Sequence, residues 1–305
     1  MKYHKNTFSK KLIMPKLAVI VPNLNSPVID EVVTSVLSQS DETLEVWVVG
    51  QDCYGKIPTS PRVHSIITRD HILPGMARNI GAQHALADAY IFLDADCIPQ
   101  PGWLSALLTA WTTHPDAGAI SGAMLPESDS FFKNCRQIAN FHEYLAISRP
   151  GERMYLASFS LLVPRQAWLQ SGGFNPNLRH AEDIDFTLRL RAMGLKLFFE
   201  PKSIVYHRPK NLNFNEFWDY AYLSGACSIQ VRLRHTEISM PFWANSAWTW
   251  RTLAPVIAAI RTCQIYSQNP ALIRYFYAIP FVFLHKLAWC YGAADGVSKM
   301  HKTRL

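Results

Sequence analysis

The chain lacks any pattern that would tie its six cysteines together. Cys53, Cys97, Cys135, Cys227, Cys263 and Cys290 are scattered, with no C-x-x-C pair. That spacing argues against a structural zinc site and a disulfide framework, and suits unpaired thiols in a reducing cytosol. No internal repeat, low-complexity run or proline- and glycine-rich linker interrupts the 305 residues. With 49% hydrophobic residues, the chain can bury one large core or a core with an appendage. The formal charge is +7, yet no Lys/Arg stripe with interleaved aromatics resembles a nucleic-acid reading surface. Phosphorylated substrates and anionic lipid headgroups explain the basic balance at least as well. The first sixteen residues carry six basic side chains (Lys2, His4, Lys5, Lys10, Lys11, Lys16) without a signal-peptide apolar core. A flexible basic leader over residues 1–15 is expected.

What is present reads as strands alternating with helices. Leu17 to Pro22 is a short apolar strand, and Ile29 to Ser38 carries helical periodicity. Leu44 to Val49 and Val63 to Thr68 are further strands, and Pro74 to Ala87 is a helix with proline in its first turn. A strand ending at Leu93 follows, then a helix from Trp103 to Trp111, a strand from Ala117 to Ser121 and a helix from Phe131 to Ile147. Tyr155 to Val163 reads as a strand before the turn Gly172-Gly173-Phe174. This order predicts an α/β, Rossmann-like, mostly parallel sheet flanked by helices over residues 16–210. Residues 211–305 are expected to form a helical C-terminal extension.

Two groups of acids stand out. Asp94 and Asp96 close Tyr90-Ile91-Phe92-Leu93-Asp94-Ala95-Asp96, at the strand end where open α/β sheets place ligands. Residues two apart in an extended segment point the same way, so both carboxylates can face one point. Magnesium or manganese would relieve their repulsion, since these hard ions take oxygen ligands and hold phosphates. A solvated turn with two chance acids is the plainer alternative. Glu182, Asp183 and Asp185 crowd the first turn of a helix running to Met193, with Ile184, Leu188 and Met193 expected inward. Acids at a helix N-terminus complement its dipole. Three within four positions exceed that need.

Val21-Pro22-Asn23-Leu24-Asn25, Ala77-Arg78-Asn79, Leu93-Asp94-Ala95-Asp96 and Gly172-Gly173-Phe174 ahead of Glu182-Asp183 occur in this order. As an ordered set they resemble the family 2 inverting glycosyltransferases of GT-A fold. The resemblance implies a nucleotide-sugar donor across the first strands, contacted by Pro22, Asn23, Asn25, Arg78, Asn79 and Glu182. It implies Asp94 at the ribose side and Asp96 on a Mn2+ or Mg2+ ion that bridges the diphosphate. Asp183 matches the general base. His207, at the end of a later strand, matches a histidine that completes the metal site or touches the diphosphate; a purely structural histidine is the alternative. Arg78, a forked cation suited to phosphate, is balanced against a partly exposed helix arginine.

One departure is clear: Gly50 and Gln51 stand where the family's second strand carries paired acids that read uracil. Asp52 from a shifted loop, or Gln51 itself, is left to read the base, and GDP or dTDP donors stay open. The acceptor is expected to be a glycan or lipid-linked, with its selection in loops such as Pro126 to Ser130 and in the C-terminal region. There Tyr275 to His285 is apolar but too short for the about 20 residues of a bilayer span. Tryptophans and cations border it, which suits interfacial attachment at the cytoplasmic membrane face. Packing on the sheet or on a second subunit, in an oligomer, is the alternative. A nucleotidyltransferase is the first rival function, weakened because no glycine-rich loop follows the first strand. A non-catalytic nucleotide-sugar-binding protein is the second.

Overall fold

The computed structural model describes residues 15–39, 44–125, 130–209 and 212–303. Most of the basic leader and residues 126–129 of the loop assigned to acceptor choice lie outside them. In chain order the elements are β1 (Leu17–Leu24), α1 (Ile29–Leu37), β2 (Leu44–Gln51), β3 (Val63–Ile67), α2 (Pro74–His84), β4 (Ala89–Leu93) and β5 (Cys97–Pro99). Then come α3 (Trp103–Thr113), β6 (Ala117–Leu125), α4 (Phe131–Phe141), β7 (Gly151–Glu152), β8 (Ser160–Pro164), α5 (Arg165–Ser171), α6 (Glu182–Ala192) and β9 (Lys196–His207). The C-terminal part holds α7 (Phe214–Arg232), α8 (Ala247–Thr252), α9 (Ala254–Gln268), a 3-10 segment (Pro270–Ala278) and α10 (Ile279–Thr303).

The nine strands form one sheet in the order β3-β2-β1-β4-β8-β6-β9-β5, with β7 on the flank of β9. The first four run parallel, and their continuous apolar runs are covered by helices. Val19, Ile20, Val46, Val48, Ile91 and Phe92 have no exposure at all. Beyond β4 the sheet becomes mixed, because β8 runs antiparallel to both β4 and β6. The expected parallel order therefore describes one half. β9 turns parallel to β6 and antiparallel to β5, a pairing that sets Cys97 opposite His207.

Several boundaries differ from the sequence reading. The strand expected from Tyr155 begins only at Ser160, because the Leu156 N–H is taken by the Thr187 hydroxyl rather than by a neighbouring strand. The helix expected from Phe131 to Ile147 stops at Phe141 and tightens into a 3-10 turn over His142–Tyr144. Met193 lies one residue past α6 and is 43% exposed rather than inward, while Phe186, Leu188 and Leu190 supply the buried face.

The C-terminal helices build two further apolar cores. Cys135, Ile138 and Ala139 of α4 join Phe217 of α7 and Val282 of α10 in one of them. Ile229, Trp250, Ala254, Cys290, Ala293 and Val297 make the other. α7 and α10 approach very closely. A Cβ on Gly225 would meet the Trp289 carbonyl oxygen at 2.0 Å, and one on Gly292 the Tyr222 carbonyl oxygen at 1.9 Å. By length and composition, the helical run Pro270–Lys302 can cross a membrane, and 28% of its most apolar stretch is buried. The apolar stretch first read as short thus belongs to a longer helical run.

Candidate active site

β4 ends in full burial at Leu93, and the backbone then turns instead of staying extended. The Cys97 N–H donates to the Asp94 carbonyl oxygen at 3.0 Å and closes that turn. The Ser26 hydroxyl donates to the Ala95 carbonyl at 2.6 Å, and the Arg208 N–H to the Asp96 carbonyl at 2.7 Å. The two carboxylates consequently go to different partners, which corrects the expectation that they converge on one point. Asp94 faces Arg78, and Asp96 faces His207.

Arg78 is the hub. It sits on α2 with 2% exposure, its guanidinium 5.3 Å from the Phe174 ring centre. Nη1 donates to Glu182 Oε1 and Nη2 to Asp94 Oδ1, each at 2.7 Å. The planar fork of arginine suits two carboxylates at once. Arg78 therefore ties β4 to the start of α6, a different placement from the exposed helix arginine and from the free phosphate ligand considered above.

Asp183 follows at the next position. Burial, then the neighbouring Glu182 charge, push its carboxyl up to about 7, against the Ile184 N–H and Arg78. The Ile184 N–H donates to Asp183 Oδ1 at 2.8 Å. Asp185, the third acid of that first turn, turns away, accepting from Arg189 Nε at 3.0 Å and lying 3.0 Å from His235 Nε2. Ala181, just ahead of α6, holds φ at +64°, an uncommon conformation for a residue with a Cβ. Such strain at a helix start lining a cavity is frequent where side chains are positioned for function.

At the other end of the site, His207 Nε2 lies 3.4 Å from Asp96 Oδ2. Burial works to raise the Asp96 carboxyl, but His207 and Arg136 outweigh it and hold it low. His207 is 7% exposed and its Nδ1 is buried without a hydrogen-bond partner. A charged carboxylate beside an imidazole with an idle buried nitrogen fits a divalent ion, with remaining positions for phosphate oxygens and water. Cys97 shares this cluster, all three ligand atoms lying within 4.8 Å of one another. Burial pushes its thiol well up, and a soft sulfur suits a hard Mn2+ or Mg2+ ion less well than the oxygen of Asp96 does. The sequence reading missed Cys97 as a member of this cluster, because only the β5–β9 pairing sets it opposite His207.

The remaining expected residues are placed less simply. Asn23 donates from Nδ2 to the Gln51 carbonyl at 2.8 Å and accepts from the Ser26 N–H at 3.0 Å, so its amide braces the β1 turn. Pro22 and Asn23 line the cavity. Asn25 accepts from the Cys53 N–H at 2.7 Å and supports the β2 loop. Asn79 exchanges both of its amide bonds with the Phe174 backbone, at 2.8 and 2.9 Å, fixing the glycine turn instead of facing a ligand. Asp52 caps its own loop through the Ile57 N–H at 3.0 Å. Gly50 has a steric reason to be glycine: at φ +134° a Cβ would lie 2.1 Å from the Asn23 carbonyl oxygen. Gln51 lines the cavity, its Nε2 donating to the Arg69 carbonyl at 3.0 Å.

Asp94, Asp96, Arg78, Glu182 and Asp183 all line one cavity of about 1620 Å³. It runs on past Tyr144, Tyr155 and Tyr220 to Trp243, Trp250 and Trp289 beneath the C-terminal helices. Its lower half went unread in the sequence because α4, α7, α9 and α10 each contribute a few residues with no shared motif.

Residues 18–168 match the family described as Glycosyl transferase family 2. The chain belongs to the family 2 glycosyltransferases. Its sheet and flanking helices are the GT-A fold. Among curated proteins it is similar to the pre-mycofactocin glycosyltransferase of Mycobacterium tuberculosis, strain H37Rv, with 25% identity over 178 residues and 55% of this chain. The chain spans 37% of that relative's length. Among solved structures it resembles the mannosyltransferase PcManGT from Pyrobaculum calidifontis in complex with GDP-Man and Mn2+. That likeness has a TM-score of 0.62 and 18% identity, and covers 92% of this chain and 86% of that one. It also resembles GalNAc-T7 with UDP, GalNAc and Mn2+, at a TM-score of 0.51 and 15% identity, over 68% and 48% of the two chains. The family match stops before Asp183 and His207.

Proposed function

We propose that the chain moves a sugar from a nucleotide-diphosphate sugar to an acceptor hydroxyl, with inversion at the anomeric carbon. One observation carries the reading: Asp183 is raised to about 7 beside the Glu182–Arg78–Asp94 bridge, in the same cavity as Asp96. A carboxylate at that value is poised to accept a proton near neutral pH. Asp183 takes the proton of the acceptor hydroxyl as its oxygen attacks from the face opposite the departing diphosphate. The Ile184 N–H holds its carboxylate, while Glu182 raises and Arg78 lowers its basicity. Asp94, on the other arm of Arg78, is the group for the nucleotide's ribose. Asp96 and His207 are the residues that would hold a Mn2+ or Mg2+ ion. When bound there, the ion supplies positive charge where negative charge develops on the leaving diphosphate. The mannosyltransferase and GalNAc-T7 structures, solved with Mn2+ and with GDP-Man or UDP, support a divalent ion and a nucleotide-sugar donor.

A panel of UDP-, GDP- and dTDP-sugars tests the donor. With manganese, the true donor raises the melting temperature, since ligands that bind only the folded state stabilise it by mass action. The same donor gives no manganese-dependent rise in Asp96→Ala. A rise of equal size in that variant excludes Asp96 as the metal residue.

The C-terminal helices support attachment to a membrane surface. Phe242 and Trp248 are 91% and 73% exposed, and Val256, Ile260, Ile273 and Phe276 are exposed as well. Arg251 and Arg274 lie along the same stretch. Aromatic and apolar side chains beside cations suit the headgroup region of an anionic bilayer. Sedimentation with anionic liposomes at low salt should carry the protein down, and Trp248→Glu with Phe242→Glu should return much of it to the supernatant. Complete recovery of the unmodified protein in the soluble fraction contradicts the attachment.

A further inference from the structure

The lower half of the cavity holds three cations that the donor chemistry leaves unused. Arg232 ends α7, Arg261 lies on α9 and Lys286 on α10, and all three line the cavity. Their hydrogen bonds go to neutral groups. Arg232 Nη2 donates to the Tyr155 hydroxyl at 2.8 Å, Arg261 Nη1 to Gln264 Oε1 at 3.0 Å, and Lys286 Nζ to the Ala139 carbonyl at 2.6 Å. Arg232 Nε is buried with no partner. Among the described residues none of the three forms an ion pair with a carboxylate, though the Glu143 charge acts on Arg232 and Lys286. Burial, Arg261 and Arg232 together push Lys286 down to about 7. Burial, with Lys286 and Arg261, likewise lowers the adjacent His142 to about 3. Like charges gathered without a directly paired carboxylate raise the free energy of the cavity, and an anion entering it relieves them.

The donor's diphosphate is not that anion. The positive charges acting on Asp94 and Asp96 come from Arg78, His207 and Arg136. Arg232 is instead an electrostatic neighbour of Tyr155, Tyr144 and Glu143, and Tyr144 in turn feels Asp183. Arg232 thus groups with Tyr155 and Tyr144, Lys286 bonds α4 at Ala139, and neither forms a bond with Asp94 or Asp96. Their surroundings are apolar: Trp243, Trp250, Ile257 and Trp289 line the same part of the cavity. Ile260 lines it too and is 52% exposed, which places the opening beside the exposed apolar side chains of α9.

We infer that this half of the cavity is an acceptor subsite for an amphiphile with a phosphate-type oxyanion head, held by Arg232, Arg261 and Lys286, and an apolar chain against the tryptophans. The assignment as acceptor rests on the transferase reading above. The tryptophans report on the subsite, so intrinsic fluorescence of the full chain is titrated with octyl phosphate, 1-octanol and inorganic phosphate. Octyl phosphate should bind saturably and at least about tenfold tighter than either, a gap of about 1.4 kcal/mol. Arg261→Met and Lys286→Met should each weaken octyl phosphate by about five- to tenfold, and Arg261→Lys should recover most of the loss. Circular dichroism confirms that each variant is folded, and Arg261 is exposed enough for its replacement to be tolerated. Equal binding of octanol and octyl phosphate overturns the anionic head. Inorganic phosphate as tight as octyl phosphate overturns the apolar chain, and unchanged affinity in both methionine variants overturns the subsite. The nucleotide-sugar panel is run on the same preparation. If the panel fails while octyl phosphate binds, the transferase reading falls. If the panel succeeds while octyl phosphate does not bind, only the subsite falls.

Discussion

Asp183→Asn is expected to lower sugar transfer by about 10²–10⁴-fold, the usual range for a positioned general base, while manganese-dependent donor binding persists. Asparagine keeps the shape of the side chain and its bond from the Ile184 N–H, but it has no basic oxygen to take the acceptor's proton. The pH dependence gives a second reading of the same residue. Dehydration and Glu182 raise Asp183 to about 7, so the charged, competent form predominates only above that pH. Transfer should therefore climb as pH rises through about 7 and level off above it. In Asp183→Asn the residual rate should lose that limb. Undiminished turnover in the variant removes Asp183 from the mechanism.

Arg78→Met is expected to be the most destabilising single change in the site. The guanidinium is almost wholly buried, and its two 2.7 Å bonds compensate Asp94 and Glu182. Removing one member of a buried ion group costs about 3–5 kcal/mol, because the remaining charges lose their partner. The Asp94 side chain is 36% exposed, which places the cost near the lower end, about 3 kcal/mol. Arg78→Lys should recover little, since one ammonium point charge does not replace the fork. Arg78 also lowers Asp183, so the activity limb in Arg78→Met should move to higher pH. Urea denaturation reads the stability, and a midpoint equal to the unmodified protein's contradicts the bridge.

Arg78 also shows where sequence reasoning reached and where it stopped. Continuous apolar runs fixed β1, β2 and β4 closely, because a strand buried on both faces leaves no other pattern. The order of the strands beyond β4 had no such signature, since Ser160–Pro164 reads the same whichever way it runs. Asp94, Asp96, Arg78, Glu182 and Asp183 were legible as motif positions, and the structure brings them to one cavity. Their pairings were not legible. That Asp94 bonds to Arg78 while Asp96 bonds to His207 depends on a turn at Ala95 and on the β5–β9 pairing, both long-range features. Asn79, Asn23 and Asp52 look like ligand residues by type, yet their polar atoms are spent on the backbone that shapes the cleft. Arg232 and Lys286 were invisible, because only the packing of α7, α9 and α10 makes them neighbours.

The most direct test is a crystal soaked with manganese and the donor chosen by the panel, with data collected at the manganese edge. The account predicts one anomalous peak touching Asp96 and His207, at about 2.0–2.2 Å from their ligand atoms, with the diphosphate on its open side. A peak elsewhere, or a diphosphate seated away from Asp96 with no metal beside it, contradicts the account.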